Sequence, residues 1–434
     1  MALLIFILFF LCYLSMAIFF KFRLYLLYGF LILFLFLGFS LSAYFSFIDF
    51  NVIMLFIGTF IIAEGFFLSE IPKKIAFHLA NKSRSLFSSI ILFTLFSGFL
   101  SIFLENACVV LILAPIAFSL AQAFRTSPLN FIIPLCLASN LQGSATLIGD
   151  PPSMILAEKA NLDFLDFFIF QGKPSLFFIV QFGFLFSLLS IYLILKPVSR
   201  EVSTENWKLL DIHREVQQET ANGKRKIFLI ILILFILSLA IFPRIFKGNN
   251  YLFYAALISL FYAFLTLLFL FLFKLIKPID FLKIVDYETA LFLIGVFILI
   301  GIFKAGGGLL LLKEFLKIFF LSKPIVIYCL IIFFSLLFSS FMDNVPFFLL
   351  VSELIKLFYP EGKLFYLLMF GSLIASTIGG NITPFGASAN VVGVGYLKRK
   401  GIKVGFFDFF KLGLPFSLMG TFASALLLYF LYGL

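Results

Sequence analysis

The sequence predicts an all-α polytopic membrane protein made of two inverted five-crossing repeats. Each repeat is expected to hold a re-entrant hairpin and an unwound transmembrane helix. Three observations lead there. The chain of 434 residues is 63% hydrophobic and only 12% charged, with a mean hydropathy of +1.18, more apolar surface than a soluble core can use. Several apolar stretches are longer than the roughly 18 residues that suffice to span a bilayer. Two polar, glycine-rich breaks then recur at one offset. Ser139-Asn-Leu-Gln-Gly-Ser-Ala-Thr-Leu-Ile-Gly-Asp-Pro-Pro152 interrupts one apolar segment, and Ser376-Thr-Ile-Gly-Gly-Asn-Ile-Thr-Pro-Phe-Gly386 interrupts another. At an offset of 237 in the numbering, Ser139 meets Ser376, Gly143 meets Gly380, Thr146 meets Thr383 and Gly149 meets Gly386. Irregular backbone at membrane depth survives only where protein or a watery cavity satisfies it. One such break per half marks the binding site of a transporter built on inverted repeats.

The first repeat is read as residues 1–197. Spans are expected near 2–20, 24–47 and 51–69. The stretch Met1–Phe20 lacks a basic n-region and a small-residue cleavage site, so it reads as a retained span and not a signal peptide. Residues 69–85 carry Lys73, Lys74, His78, Lys82 and Arg84 among apolar residues, the pattern of an interfacial amphipathic helix. A hairpin over 88–124 follows, with the polar pair Glu105-Asn106 at its tip. The broken helix is expected at 129–157, and a last span near 175–196. Residues 198–225 are hydrophilic, contain the only Trp, Trp207, and read as a soluble linker.

The second repeat, 226–434, runs in the same order. Spans fall near 227–243, 250–273 and 288–303, then an amphipathic stretch at 304–323. A hairpin at 324–359 has Asp343-Asn344 at its tip, a broken helix covers 364–396, and a span near 411–433 closes the chain. Ile57-Gly58 and Ile294-Gly295 align at the same 237, and Asn106 aligns with Asn344 at 238. Five crossings per half invert the second half. Loops on the side of residues 21–23, 69–85, 125, 196–226, 274–283 and 398–411 hold 22 of the 32 Lys/Arg, and the other side holds 10. The first side is therefore expected in the cytoplasm, with both termini outside, in the plasma (inner) membrane.

The net charge of +11 does not indicate nucleic acid, because the cations sit in short loops between spans. Cys12, Cys108, Cys136 and Cys329 form no CxxC pair, and neither a disulfide frame nor a metal site is suggested. His78 and His213 lie too far apart to propose a site. No cofactor is implied beyond a coupling ion, Na⁺ or H⁺.

A broken helix exposes N–H groups at one stub and C=O groups at the other; the first suit anions and the second cations. Asn106 and Asn344 offer side-chain oxygens, hard ligands appropriate to Na⁺. Together with backbone at Gly143 and Gly380 they are the candidate Na⁺ positions. Ser144, Thr146, Asn381, Thr383, Ser388 and Asn390 add polar groups, while Gly149 and Gly386 let backbone approach a small solute. Pro151 and Pro152 fit the first turn of the resumed helix, with Asp150 as its N-cap. A carboxylate inside a membrane costs about 2.5–3.5 kcal/mol on insertion scales, so Glu105, Asp150 and Asp343 are the candidate coupling carboxylates. The bland alternative for Glu105 and Asp343 is pairing with a buried cation, and neither hairpin carries a central Lys or Arg. Glu353 fits an interfacial position equally well.

Asp343-Asn-Val-Pro346, Gly379-Gly-Asn-Ile-Thr-Pro-Phe-Gly-Ala-Ser-Ala-Asn390 and Ala145-Thr-Leu-Ile-Gly-Asp-Pro-Pro152 resemble signatures of the ArsB/NhaD branch of the ion transporter superfamily. That branch includes citrate-transporter-like and P-protein-like permeases, and is similar in architecture to the divalent anion/sodium symporters. The resemblance implies hairpin tips and unwound helices meeting near the midplane, Na⁺ or H⁺ coupling there, and elevator-like motion against a homodimeric scaffold. Related symporters carry Ser-Asn-Thr at each tip. Here Glu105-Asn106-Ala107 and Asp343-Asn344-Val345 keep the Asn and lose both hydroxyls that a dicarboxylate would bind.

The expected function is a secondary active permease moving a small inorganic or organic anion, coupled to Na⁺ or H⁺. A Na⁺/H⁺ antiporter using Glu105, Asp150 or Asp343 is the alternative. An ion channel using the breaks as a filter is more remote. The solute and the lipid bilayer are the expected partners.

Overall fold

The computed structural model describes residues 1–82, 85–200, 226–245, 250–277, 285–320 and 322–433. Most of the linker read at 198–225, with Trp207 and His213, lies outside them. The described chain is nearly all helix. In order the helices are α1 (Ala2–Ile18), α2 (Arg23–Phe36), α3 (Leu41–Phe47), α4 (Phe50–Leu68), α5 (Ile71–Lys82), α6 (Leu86–Ser101), α7 (Asn106–Ala123), α8 (Leu129–Gly143), α9 (Pro151–Ala160) and α10 (Leu176–Arg200). After the linker come α11 (Lys226–Ile245), α12 (Tyr251–Leu272), α13 (Tyr287–Ala305), α14 (Gly308–Phe320), α15 (Pro324–Ser339), α16 (Asn344–Phe358), α17 (Lys363–Gly379), α18 (Ser388–Arg399) and α19 (Phe406–Tyr432). Among the described residues, eight helices are long and apolar enough to cross a membrane. The pair α1–α2 passes that test only as a unit bent by 114°.

That bend corrects the expected pair of spans at 2–20 and 24–47. Phe19 leaves helical geometry, and a 3₁₀ turn at Phe20–Phe22 leads straight into α2. Gly38, with φ +98°, then ends α2 and separates it from α3. The bend has no Gly or Pro to announce it.

Some helix starts are set by short acidic and hydroxyl side chains. Asp49 accepts from the N–H groups of Asn51 and Val52 at the start of α4, and Asp286 accepts from Thr289 at the start of α13. These two caps are again separated by the offset of 237. Ser85 and Ser88 form a reciprocal capping box on α6. Between α9 and α10 a two-stranded hairpin pairs Ile169 with Pro174 and Phe170 with Lys173. Gln171 and Gly172 both take positive φ at its turn, the geometry that matches strand twist. Tyr432 donates to the carbonyls of Phe170 and Pro174, pinning the end of α19 there.

The core fills each half, where α6 and α7 pack on α8 and α15 packs on α17, and also joins the two. α4 packs on α12 and α13 packs on α2. Gly58 abuts Ser259, and a Cβ on Gly295 would lie 2.6 Å from Leu27. α10 and α19 cross closely through small residues: Gly183 abuts Ser424 and Gly420 abuts Ser187. Gly183 and Gly420 are 237 apart, as are Ser187 and Ser424, so the contact is self-complementary. α7 likewise packs on α18, and α16 on α9.

Candidate functional site

Both hairpins end in the same way. α6 and α7 meet at a turn carrying Glu105, and α15 and α16 meet at a turn carrying Asp343. Each acid caps the helix that follows it. Glu105 accepts from the N–H of Cys108 at 3.0 Å, and Asp343 accepts from Val345 at 3.1 Å. The two helix N-termini that could receive an anion at the tips are thus capped by the chain's own carboxylates.

The broken helices hold the hairpins from behind. Thr146 donates to the carbonyl of Ile102, and Thr383 donates to that of Ser340 at 2.5 Å. Ser153 donates to Gly143 O at 3.4 Å, and Asn390, its counterpart at the repeat offset, donates to Gly380 O at 2.9 Å. So the carbonyls of Gly143 and Gly380, expected as Na⁺ ligands, already accept from side chains of α9 and α18. Gly149 and Gly386 sit where backbone meets backbone. A Cβ would lie 2.5 Å from Gly143 O in the first case and 2.6 Å from Gly380 O in the second. Ser144 turns back to Leu141 O, and Ser388 is half-buried in the first turn of α18.

The tips converge on Asp150. Its Oδ2 accepts from Asn106 Nδ2 at 3.1 Å and from Asn344 Nδ2 at 3.1 Å. Asp150 is 4% exposed, Asn106 2% and Asn344 5%. The expected N-cap role is corrected: Asp150 stands at the cap position of α9 but makes no capping hydrogen bond. Its carboxylate turns instead to the two Asn side chains. Gly143 lets this happen, because a Cβ there would lie 2.5 Å from Asn106 Oδ1 and 3.0 Å from Asp150 Cβ. Asn106 Oδ1, offered by the sequence reading to Na⁺, accepts from Ser101 Oγ at 2.7 Å.

A second layer of amides joins the breaks. Asn140 donates to Thr377 O at 2.7 Å and to Asn381 Oδ1 at 3.1 Å, while Asn381 donates to Leu137 O at 2.8 Å. Thr377 Oγ1 and Asn390 Oδ1 are buried without a partner, the first within the second break and the second on α18 just after it. They are hard oxygen acceptors of the kind a small cation uses.

Asp343 is the other correction. No Lys or Arg lies in the central part of its hairpin, but Arg23, at the start of α2, reaches it at 2.5 Å. Arg23 is 8% exposed, and its guanidinium lies over the rings of Phe20 and Phe292. The sequence reading expects it in a short loop between spans. A cation at a helix N-terminus is unfavourable, and Asp343 offsets it. Glu353 is likewise buried and paired: Lys159 of α9 lies at 2.6 Å and Lys304 of α13 at 2.8 Å. The sequence reading misses Arg23, Ser101, Asn140 and Thr377. Asn140 and Thr377 stand at the matched offset within the two breaks, a signal that could have found them; Arg23 has none.

A family model described as citrate transporter matches residues 3–367. An uncharacterized transporter of Mycobacterium bovis is 26% identical over 409 residues, covering 89% of this chain and 87% of its own. P protein of Mus musculus is 26% identical over 451 residues, covering 88% of this chain but 53% of its own length. Among solved structures, the YdaH transporter of Alcanivorax borkumensis superposes with a TM-score of 0.56 at 13% identity, over 87% of this chain and 84% of that one. MtrF of Neisseria gonorrhoeae, described with a class of antimetabolite efflux pumps, gives 0.56 at 13%, over 91% and 83%. At that identity the likeness speaks for the fold alone, a helical transporter fold as expected.

Proposed function

The chain belongs to the citrate transporter family, and from that premise we propose that it is a secondary transporter whose coupling carboxylate is Asp150. The observation that carries the reading is the shared acceptance by Asp150 of Asn106 and Asn344. One buried charge is common to both hairpin tips and has no cation against it among the described residues. An unpaired carboxylate in a low-dielectric site favours a proton or a small cation beside it. Loading H⁺ or Na⁺ neutralises the charge and lets the tips move together with a small inorganic or organic anion. The halves are proposed to be inverted and to move in an elevator-like way on a homodimeric scaffold. The Lys/Arg distribution supports a cytoplasmic linker at 198–225 and both termini outside.

A second reading, Na⁺/H⁺ antiport, is favoured by the capping of α7 and α16 by Glu105 and Asp343, which leaves no anion slot at either tip. Flux into proteoliposomes against a panel of anions, with imposed Na⁺ and pH gradients, separates the two. Uptake of an anion that follows either gradient supports the permease. Gradient-driven ²²Na⁺ exchange without any anion dependence supports the antiporter. Passive, non-saturable conductance defeats both.

A further inference from the structure

We propose that the cleft between α1, α14 and the α15–α16 pair binds one acyl chain of a phospholipid whose anionic headgroup rests on Lys317 and Lys323. The cleft is a cavity of about 560 Å³, lined among others by Leu14, Ala17, Leu316, Phe319, Phe334 and Leu350. That lies within the ~300–1,000 Å³ typical of small-molecule sites. Its walls are carbon apart from the Met342 sulfur and the Tyr13 hydroxyl, which already donates to Pro346 O at 3.2 Å.

Such walls choose their occupant. A water needs two to four polar partners and finds none, and an ionic solute would lose its hydration without replacement. The cleft also opens sideways. Leu14 is 57% exposed, Phe319 44% and Phe338 47%, and in a membrane transporter that surface faces hydrocarbon. A bilayer chain is the apolar species present there at high concentration.

Charge selects the headgroup. Lys317 follows the lining residue Leu316 on α14, is 56% exposed, and has only a 3.6 Å contact with Glu314. Lys323 is exposed at the start of α15, shortly after the lining residue Phe320. Lys313, on the same helix as Lys317, donates to Leu357 O and lies over the Phe358 ring. Three cations against Glu314 favour an anionic headgroup. The opposite end of the cleft approaches Met342 and the Arg23–Asp343 pair, where both charges are already matched.

The full-length protein, purified in mild detergent, is incubated with phosphatidylglycerol or phosphatidylcholine of the same chains and examined by native mass spectrometry. The wild type is expected to retain a phosphatidylglycerol after the other lipids have been stripped. Ala17→Phe and Leu316→Trp fill the cleft from two different walls, and each should lower that retention several-fold. The double variant Lys317→Gln/Lys323→Gln leaves the interior untouched and should reduce retention of phosphatidylglycerol to that of phosphatidylcholine. Equal retention by the wild type and both filled variants overturns the chain site. Equal retention of the two lipids by the wild type overturns the headgroup assignment. Loss of a dimer in the filled variants, with lipid binding unchanged, would show that a second copy fills the cleft and also overturns the proposal.

Discussion

Asn106 and Asn344, one at each hairpin tip, donate to the same oxygen of Asp150, each at 3.1 Å. The hairpin tips therefore sense one charge. Replacing Asp150 by Asn keeps an acceptor in place and removes only the charge. Proteoliposomes with Asp150→Asn should lose the dependence of flux on imposed Na⁺ and pH gradients. Gradient-driven uptake at the wild-type rate would move the coupling site elsewhere.

The amides themselves should matter less than the charge but equally in the two halves. Asn106→Ala and Asn344→Ala each remove one donor to a buried carboxylate. Each is expected to weaken coupling-ion or solute binding by about 1–3 kcal/mol while the protein stays folded. Apparent affinities from saturation of flux check this, and unchanged values in both variants contradict it.

Arg23 and Asp343 should behave as a structural pair. Removing one partner of a buried ion pair leaves an uncompensated charge and costs about 3–5 kcal/mol. Arg23→Gln and Asp343→Asn should each lower the thermal unfolding midpoint in detergent, Arg23→Gln more because it strands the carboxylate. The double variant should recover part of the loss. Asp343→Asn should also keep gradient-coupled flux, in contrast to Asp150→Asn. A double variant less stable than either single one would refute the pairing.

The glycines of the two breaks make a matched test. Gly149→Ala and Gly386→Ala each place a Cβ against a backbone carbonyl, at 2.5 and 2.6 Å, where neither atom can give way cheaply. Both should abolish transport and destabilise the protein to similar degrees. Gly395→Ala, on α18 with nothing within 4 Å of the added carbon, is the control and should be neutral or stabilising by about 0.5–1 kcal/mol. Unfolding midpoints that rank Gly395→Ala with the other two would contradict the close approach.

Much of this was legible in the sequence because polar residues and glycines stand out in an apolar chain. The stretch expected as a hairpin at 88–124 folds as the helix pair α6 and α7, and the one at 324–359 as α15 and α16. The interrupted segments at 129–157 and 364–396 are α8–α9 and α17–α18, breaking at the residues the offset picks out. Asp150 was legible as one of three candidate carboxylates, but not its place between both tips, since its counterpart at 237 is Ala387 and symmetry directs attention to the Asn pair. Arg23 was hidden differently. A cation between two apolar runs reads as a loop, and only the fold, by bending α1 against α2, brings it to a tip 320 residues away. The pairing of Glu353 was hidden because Lys159 and Lys304 come from other helices.

The exchange of helices between the halves has a bearing on how the protein is made. α2 and α4 lean on α13 and α12, and α7 and α9 lean on α18 and α16. A ribosome that has released α10 has therefore produced a half in which α6, α7 and α8 can pack together, but whose faces toward the second half are still empty. Those faces must wait in the membrane, shielded by the insertion machinery or by chaperones, until the second half emerges. The first half expressed alone should be degraded, yet two fragments divided within 201–225 and synthesised together should assemble, because every contact they lack is supplied by the other.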